Sequence, residues 1–259
     1  MLHGWPQHWY MWRGVIPELA KRYRVICPDL RGLGWSDAPR TGYEKETLAN
    51  DMLTLMDALG LERVRLIGHD WGAFTGFLMC LFQPERFERY LALAIVHPWI
   101  RLDPRRAGRM WSTAYQWVLA SPFVGEWLLR ARPEIVEKSL RSAVRDRDVW
   151  SEAELHAFSR VLQEPKRAAA SVQYYRTFLT REALPLVTGR YDPYRLTVPT
   201  RMLVGRHDPV CPPSLLPGFE DHADRMEAYV LEDVGHFMVD EAPDLITEEI
   251  RAFFEASLW

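Results

Sequence analysis

The segment Gly68-His69-Asp70-Trp71-Gly72 places a carboxylate between an apolar strand and a helix. Glycines on either side permit a tight, strained turn that lifts the central side chain clear of a sheet. A serine in such a turn attacks acyl carbons, whereas a carboxylate suits displacement at an sp3 carbon and forms an alkyl ester. Water must then cleave that ester with the help of a general base. We therefore expect Asp70 to be a nucleophile; the alternative is an Asp that merely caps the helix.

Two further groups complete a set for this chemistry, and each follows a predicted strand. Asp208 lies in Gly205-Arg206-His207-Asp208-Pro209, directly after an apolar strand, and His236 lies in Gly235-His236-Phe237, after the next strand. Open α/β sheets bind ligands at the carboxyl ends of their strands. His236 is expected to activate water, while Asp208 fixes its tautomer and stabilises the imidazolium.

Several other polar residues compete for these roles. Asp192 and Asp233 are alternative acids, but neither directly follows an apolar strand inside a Gly-x-x-Asp turn. Three histidines near the motifs have no evident part in the mechanism: His69, His97 and His207. A basic run is expected to form a solvated face rather than an anion site: Arg101, Arg105, Arg106 and Arg109.

Short β-rich runs alternate with amphipathic helical patterns, which predicts a mostly parallel, doubly wound α/β sheet. The predicted strands cover residues 23–27, 63–67, 91–96, 202–204 and 228–231, and the predicted helices cover 48–59, 71–82 and 245–258. The stretch 98–194 contains no convincing strand and is rich in Arg, Trp and Tyr. It is predicted to be a helical cap inserted into a discontinuous core of residues 1–97 and 195–259.

The composition excludes several classes of protein. Thirty-two Lys and Arg against 35 Asp and Glu give a net charge of −3 over 259 residues, so no basic surface for nucleic acid or an acidic membrane is expected. No apolar run is long enough to cross a bilayer. Three widely spaced cysteines and a first segment without a signal-peptide pattern indicate a reduced, cytoplasmic protein with neither disulfides nor a zinc site.

The sequence resembles the epoxide hydrolase branch of the α/β-hydrolase superfamily. The resemblance rests on His3-Gly4-Trp5-Pro6 (the family's H-G-x-P), the segment from Asp29 to Asp37, the Asp70 turn, Asp208 and His236. It implies an α/β-hydrolase fold with a helical cap, and hydrolysis of a small apolar epoxide to a vicinal diol. It also implies that no cofactor or metal is needed, and that the protein is a monomer or a homodimer.

The family also implies roles for four aromatic residues around the substrate. Two cap tyrosines hydrogen-bond the epoxide oxygen and protonate the leaving alkoxide; Tyr175, in a Tyr-Arg pair, and Tyr115 match them. Backbone N–H groups at Trp5 and Trp71 match the oxyanion hole, with a cis peptide before Pro6. His3 is expected to be a buried structural histidine.

Two alternative functions remain open. Haloalkane dehalogenases share the nucleophile and Trp71, but they often have Asn where this chain has Trp5. A hydrolase-like binding protein without turnover is the other alternative, against which the complete catalytic set argues.

The position of the first motif gives a further expectation. The family's H-G-x-P normally follows several β-strands, whereas here it begins at His3. The resemblance therefore implies that N-terminal strands are missing, including one placed centrally in the sheet. Either the true start lies upstream, or this form is poorly stable and weakly active.

Overall fold

The computed structural model describes residues 1–101, 114–121 and 123–256. Its centre is a parallel sheet of four strands in the order β1 (Val64–His69), β2 (Phe87–Leu93), β3 (Thr200–Gly205) and β4 (Met226–Leu231). Buried apolar side chains fill β1 to β3, as parallel strands covered on both faces require. The predicted α/β class and parallel sheet are confirmed.

Helices surround this sheet and fill the long connection between β2 and β3. The helices before that connection are α1 (Ile16–Leu19), α2 (Lys45–Ala58) and α3 (Trp71–Phe82), with a 3-10 helix at Trp9–Gly14. The connection contains α4 (Ala114–Ala120), α5 (Val124–Ala131), α6 (Pro133–Ser142), α7 (Glu152–Val161), α8 (Pro165–Thr177), a π-helical turn at Phe178–Glu182 and α9 (Ala183–Val187). The chain continues after β4 with α10 (Met238–Glu241) and α11 (Pro243–Glu255).

Helix α3 positions the turn that carries Asp70. It is buried along nearly its whole length because almost every side chain is apolar, and it packs against β1 and β2. Gly68 and Gly72 permit this close packing: a Cβ on Gly68 would lie 2.5 Å from the Ala73 Cα, and one on Gly72 would lie 2.3 Å from the His3 carbonyl oxygen. The turn therefore packs closely against the first residues of the chain on one side and against α3 on the other.

The predicted strand at residues 23–27 is wrong. Among the described residues, this segment belongs to no strand of the sheet. The Met1 amino group donates to the Ile26 carbonyl, and Leu2 pairs with Gly68 of β1. The predicted strand at 91–96 is displaced, since β2 ends at Leu93 where Ala94 turns the chain with φ 49°.

The segment 98–194, called the cap segment below, forms only helices and turns where the structure describes it. Its boundaries as a separate cap remain a prediction. It is fastened to the rest of the chain by polar contacts: the Tyr174 hydroxyl donates to the Arg31 carbonyl at 2.8 Å, and Arg13 pairs with Glu154 at 2.7 Å. Within the described ranges, no helix is long and apolar enough to span a membrane.

Candidate active site

Asp70 occupies the turn between β1 and α3 in a conformation that non-glycine residues rarely adopt. Its φ is 51° and its ψ is −127°, and its side chain is mostly buried. The backbone N–H of Trp5 donates to Asp70 Oδ1 at 2.9 Å. Gly4 makes this contact possible, since a Cβ there would lie 2.2 Å from the same oxygen. A strained turn that presents one carboxylate is typical of a functional site.

His236 lies between two buried carboxylates. Its Nδ1 is 2.9 Å from Asp208 Oδ2, and its Nε2 is 3.6 Å from Asp70 Oδ2. The second oxygen of Asp208 accepts the backbone N–H groups of Val210 and Cys211 at 2.7 and 2.8 Å. The carboxyl ends of β1, β3 and β4 thus bring together the three residues that the sequence singles out. This geometry fits a nucleophile, a base and an orienting acid.

The electrostatics of this trio favour a charged imidazole. Burial alone lowers the pKa of His236, but the charges and hydrogen bonds of Asp208 and Asp70 outweigh it and raise the pKa to about 10. Burial alone raises the pKa of Asp208, yet His236 and the two backbone N–H groups bring it below its usual value. The resting trio therefore holds one imidazolium between two carboxylates.

Two tyrosines of the cap segment face Asp70 across an aromatic cluster. The Trp5 ring is 6.1 Å from that of Tyr115 and 5.2 Å from that of Tyr175, and the two tyrosine rings are 5.7 Å apart. Burial, and then the charge of Asp70, raises the pKa of Tyr115. Burial and the neighbouring Tyr115 raise that of Tyr175. Both hydroxyls are therefore neutral and can donate hydrogen bonds.

The described part of the chain also forms a cavity of about 200 Å³ beside His236. Trp5, Tyr115 and Val210 are among its lining residues, together with Ala143 of the cap segment. The predicted substrate-binding residues Trp5 and Tyr115 thus lie on its wall, whereas Trp71 and Tyr175 are not among its lining residues and contact one another, with ring centroids 6.2 Å apart.

The structure also bears on the expected cis peptide, the buried His3, the oxyanion hole, the alternative acids and the basic run. The Trp5–Pro6 peptide is cis, and His3 is buried, with its Nε2 accepting the Leu30 backbone N–H at 2.9 Å. The Trp5 N–H reaches Asp70, whereas the oxyanion role of the Trp71 N–H remains a prediction. The alternative acids face elsewhere, because Asp233 pairs with Arg145 and Asp192 pairs with Arg101. Arg105, Arg106 and Arg109 lie outside the described residues.

Sequence reasoning missed two supports of the His236 loop. The His69 Nε2 donates to the His236 carbonyl at 2.8 Å, so His69, which seemed to have no role, fixes the loop from the strand side. The pKa of His69 falls to about 4, through burial and then the neighbouring His236, which keeps it neutral. From the cap segment, the Ala143 carbonyl accepts the His236 backbone N–H at 2.7 Å.

One group of side chains has a donor set that a metal could use. Ligand atoms of Asp208, Cys211 and His236 lie within 4.8 Å of one another. Two of these atoms already share a hydrogen bond, and burial raises the pKa of the Cys211 thiol well above its usual value. A metal binds thiolate rather than thiol. The arrangement therefore suits proton transfer better than metal binding.

The sequence profile described as "alpha/beta hydrolase fold" matches residues 1–243. The chain is 32% identical over 264 residues to the soluble epoxide hydrolase of Corynebacterium sp. (strain C12), covering 98% of this chain and 88% of that protein. It is 26% identical to human epoxide hydrolase 4, covering 98% of this chain and 71% of that one. The chain therefore belongs to the α/β-hydrolase superfamily and, within it, to the epoxide hydrolase family.

Solved structures agree with this assignment. The fold is similar to that of the epoxide hydrolase CorEH, with a TM-score of 0.85 and 30% identity over 98% of this chain and 89% of that one. It is also similar to Cfl2 from Burkholderia cenocepacia, with a TM-score of 0.87 and 27% identity over 98% of this chain and 86% of that one.

The raised pKa of His236 predicts a pH-dependent contribution to stability. Above pH 6.5 the unfolded histidine has lost its proton, whereas the folded one keeps it up to about pH 10. The free energy of unfolding of the wild type, minus that of His236→Gln, should therefore decrease by about 2 kcal/mol or more between these pH values. Urea denaturation across this pH range measures the difference. A difference that stays flat or increases with pH would contradict a resting imidazolium.

Proposed function

We propose that this protein hydrolyses epoxides to vicinal diols through a covalent alkyl ester on Asp70. The observation that carries the proposal is the position of His236, whose Nδ1 is 2.9 Å from Asp208 and whose Nε2 is 3.6 Å from Asp70. The rings of Tyr115 and Tyr175 pack beside that of Trp5, whose backbone N–H donates to the same carboxylate. The named relatives that hydrolyse epoxides support the same substrate class.

The first step is ring opening by Asp70. Oδ2 is the attacking atom, since Oδ1 is held by the Trp5 N–H at 2.9 Å. A new C–O bond forms at one ring carbon while the bond from that carbon to the epoxide oxygen breaks and leaves its electron pair on that oxygen. Tyr115 or Tyr175 donates a proton to this developing alkoxide. The proton held by the His236 imidazolium then restores the phenol.

The second step is hydrolysis of the ester. Esterification removes the charge of Asp70, so one of the two carboxylates that hold the proton on His236 is lost and the neutral imidazole can act as a base. It takes a proton from water, and the resulting hydroxide adds to the Asp70 carboxyl carbon. The Trp5 N–H stabilises the oxyanion that forms. Collapse breaks the acyl–oxygen bond, and the hydroxyl added to the carboxyl carbon gives its proton to the departing alkoxide. The diol is thereby released, and Asp70 returns as a carboxylate beside an imidazolium.

A haloalkane could be displaced by the same nucleophile, but the leaving group would differ. A halide needs N–H donors and no proton, whereas an alkoxide needs an acid. Tyr115 and Tyr175 hold their protons and lie beside the Trp5 ring, which supplies the acids that an epoxide requires. This pair of hydroxyls favours the epoxide over the haloalkane.

Removing the base should trap the intermediate. In His236→Gln the first step keeps its nucleophile, but water is no longer activated, so incubation with styrene oxide should increase the mass of the intact protein by one epoxide. Turnover should fall by about 10²- to 10⁴-fold, the usual contribution of a general base. The matched control is His207→Gln, since His207 is exposed on the loop before Asp208. An unchanged protein mass, or full turnover by His236→Gln, would contradict the proposal.

The tyrosine pair should matter for epoxides and not for haloalkanes. We expect Tyr115→Phe and Tyr175→Phe each to lower kcat for styrene oxide by about 10- to 100-fold, and the double variant by about 10³-fold or more. Tyr43→Phe is the control, because this buried hydroxyl donates to the Pro39 carbonyl, away from the site. Halide release from a bromoalkane measured on the same variants completes the experiment. Faster turnover of the bromoalkane than of the epoxide, with no effect of the Phe substitutions, would favour the dehalogenase alternative.

A further inference from the structure

Lys45 is a buried cation that the mechanism above does not use. It is the first residue of α2, and its side chain is fully buried. Its position is unfavourable twice over, because burial removes water from the ammonium group and the N-terminus of a helix already carries partial positive charge. Burial lowers the pKa of Lys45, and the carboxylates of Glu182 and Asp70 oppose that effect. Because burying this ammonium group costs free energy, we expect Lys45 to have a function.

The ammonium group is enclosed by polar and aromatic partners. Its Nζ lies 3.1 Å from Glu182 Oε2, and it donates to the carbonyls of Tyr43 at 3.3 Å and Tyr174 at 3.4 Å. It also lies 4.5 Å from the centre of the Trp71 ring, close enough for a cation–π interaction. Glu182 belongs to the π-helical turn after α8, so Lys45 joins the start of α2 to the cap segment.

Two contacts of Lys45 adjoin residues of the proposed mechanism. Trp71 directly follows Asp70, and Tyr174 directly precedes Tyr175. The Trp71 and Tyr175 rings also contact one another edge to face, with centroids 6.2 Å apart. The same cation therefore contacts the ring that packs against Tyr175 and the main chain that carries Tyr175.

We infer that Lys45 is a positioning residue for ring opening: it holds the Tyr175 main chain and the Trp71 ring that packs against the Tyr175 ring. This inference rests on the proposed function, because it assigns Lys45 to the step in which Tyr175 protonates the alkoxide.

The physical basis is the position of the acid. The ammonium group attracts the face of the Trp71 ring and donates to the Tyr174 carbonyl, so it fixes both the ring that packs against Tyr175 and the main chain beside it. Proton transfer to the alkoxide requires the Tyr175 hydroxyl to lie within hydrogen-bond reach of the epoxide oxygen. A displaced tyrosine would therefore slow ring opening. Hydrolysis of the ester uses His236 and water and lies outside this chain of contacts.

The test measures ester formation alone. In the His236→Gln background, the rate of mass increase with styrene oxide reports ring opening without hydrolysis. Adding Lys45→Met, which keeps the length of the side chain and removes its charge, should slow ester formation by about 10-fold or more. Adding Lys45→Arg instead should restore at least part of the rate. In the otherwise wild-type enzyme, Lys45→Met should lower kcat more than it raises KM.

A purely structural role would give a different pattern. Lys45→Met leaves the Glu182 carboxylate without its partner and should lower the melting temperature, so ester formation is compared at a temperature at which both variants are folded. Glu182→Gln, which keeps the Lys45 side chain and an acceptor for its backbone N–H, should slow ester formation less than Lys45→Met. Loss of activity in strict proportion to loss of folded protein would overturn the inference. If Lys45→Met does not fold, Lys45→Gln replaces it, since an amide can still donate to the two carbonyls.

The two proposals fail in different ways. If His236→Gln gains no mass with any epoxide, the proposed function fails. If His236→Gln forms the ester and Lys45→Met or Lys45→Gln forms it at the same rate, the proposed function stands and the role of Lys45 is refuted.

Discussion

Two buried carboxylates share one imidazole in this protein, and that balance of charge governs the rest of the site. Asp70 and Asp208 approach His236 from opposite ring nitrogens, at 3.6 and 2.9 Å. Neither anion could be buried at low cost without the proton between them. In the proposed mechanism, the same proton prevents the imidazole from acting as a base at first, and esterification of Asp70 releases it. The order of the two proposed steps thus follows from the charges in the resting site.

The fold maintains this balance by placing each group directly or shortly after a strand of the sheet. Strands β1, β3 and β4 are parallel, so their carboxyl ends meet at one edge of the sheet. The glycines of the first motif let the backbone of Trp5 approach the Asp70 carboxylate, and the His69 side chain holds the His236 loop from below. The cap segment then supplies Tyr115 and Tyr175, whose burial keeps them protonated. The sheet thus positions the charged side chains, and the helices supply the two tyrosine hydroxyls that are proposed to act as acids.

The sequence predicted these parts to different degrees. Asp70, Asp208 and His236 were found because glycine-flanked turns after apolar strands are local signals, and their order along the chain is informative. Residues 23–27 were predicted as a strand from their β-rich composition. That signal does not reveal whether a neighbouring strand exists to pair with them. Lys45 was missed for a related reason. A lysine at the start of a helix is typical of a surface, and only the packing of Tyr174 and Glu182, more than a hundred residues away, buries it.

The covalent step is tested most directly by a single turnover in ¹⁸O-water with enzyme in excess over styrene oxide. If Asp70 forms the ester and water attacks its carboxyl carbon, the oxygen added to the diol comes from Asp70. The diol of the first turnover should therefore be unlabelled, and the peptide that contains Asp70 should gain the heavy oxygen. Label that appears in the diol of the first turnover, with none in Asp70, would mean that water opens the ring directly and would contradict this account.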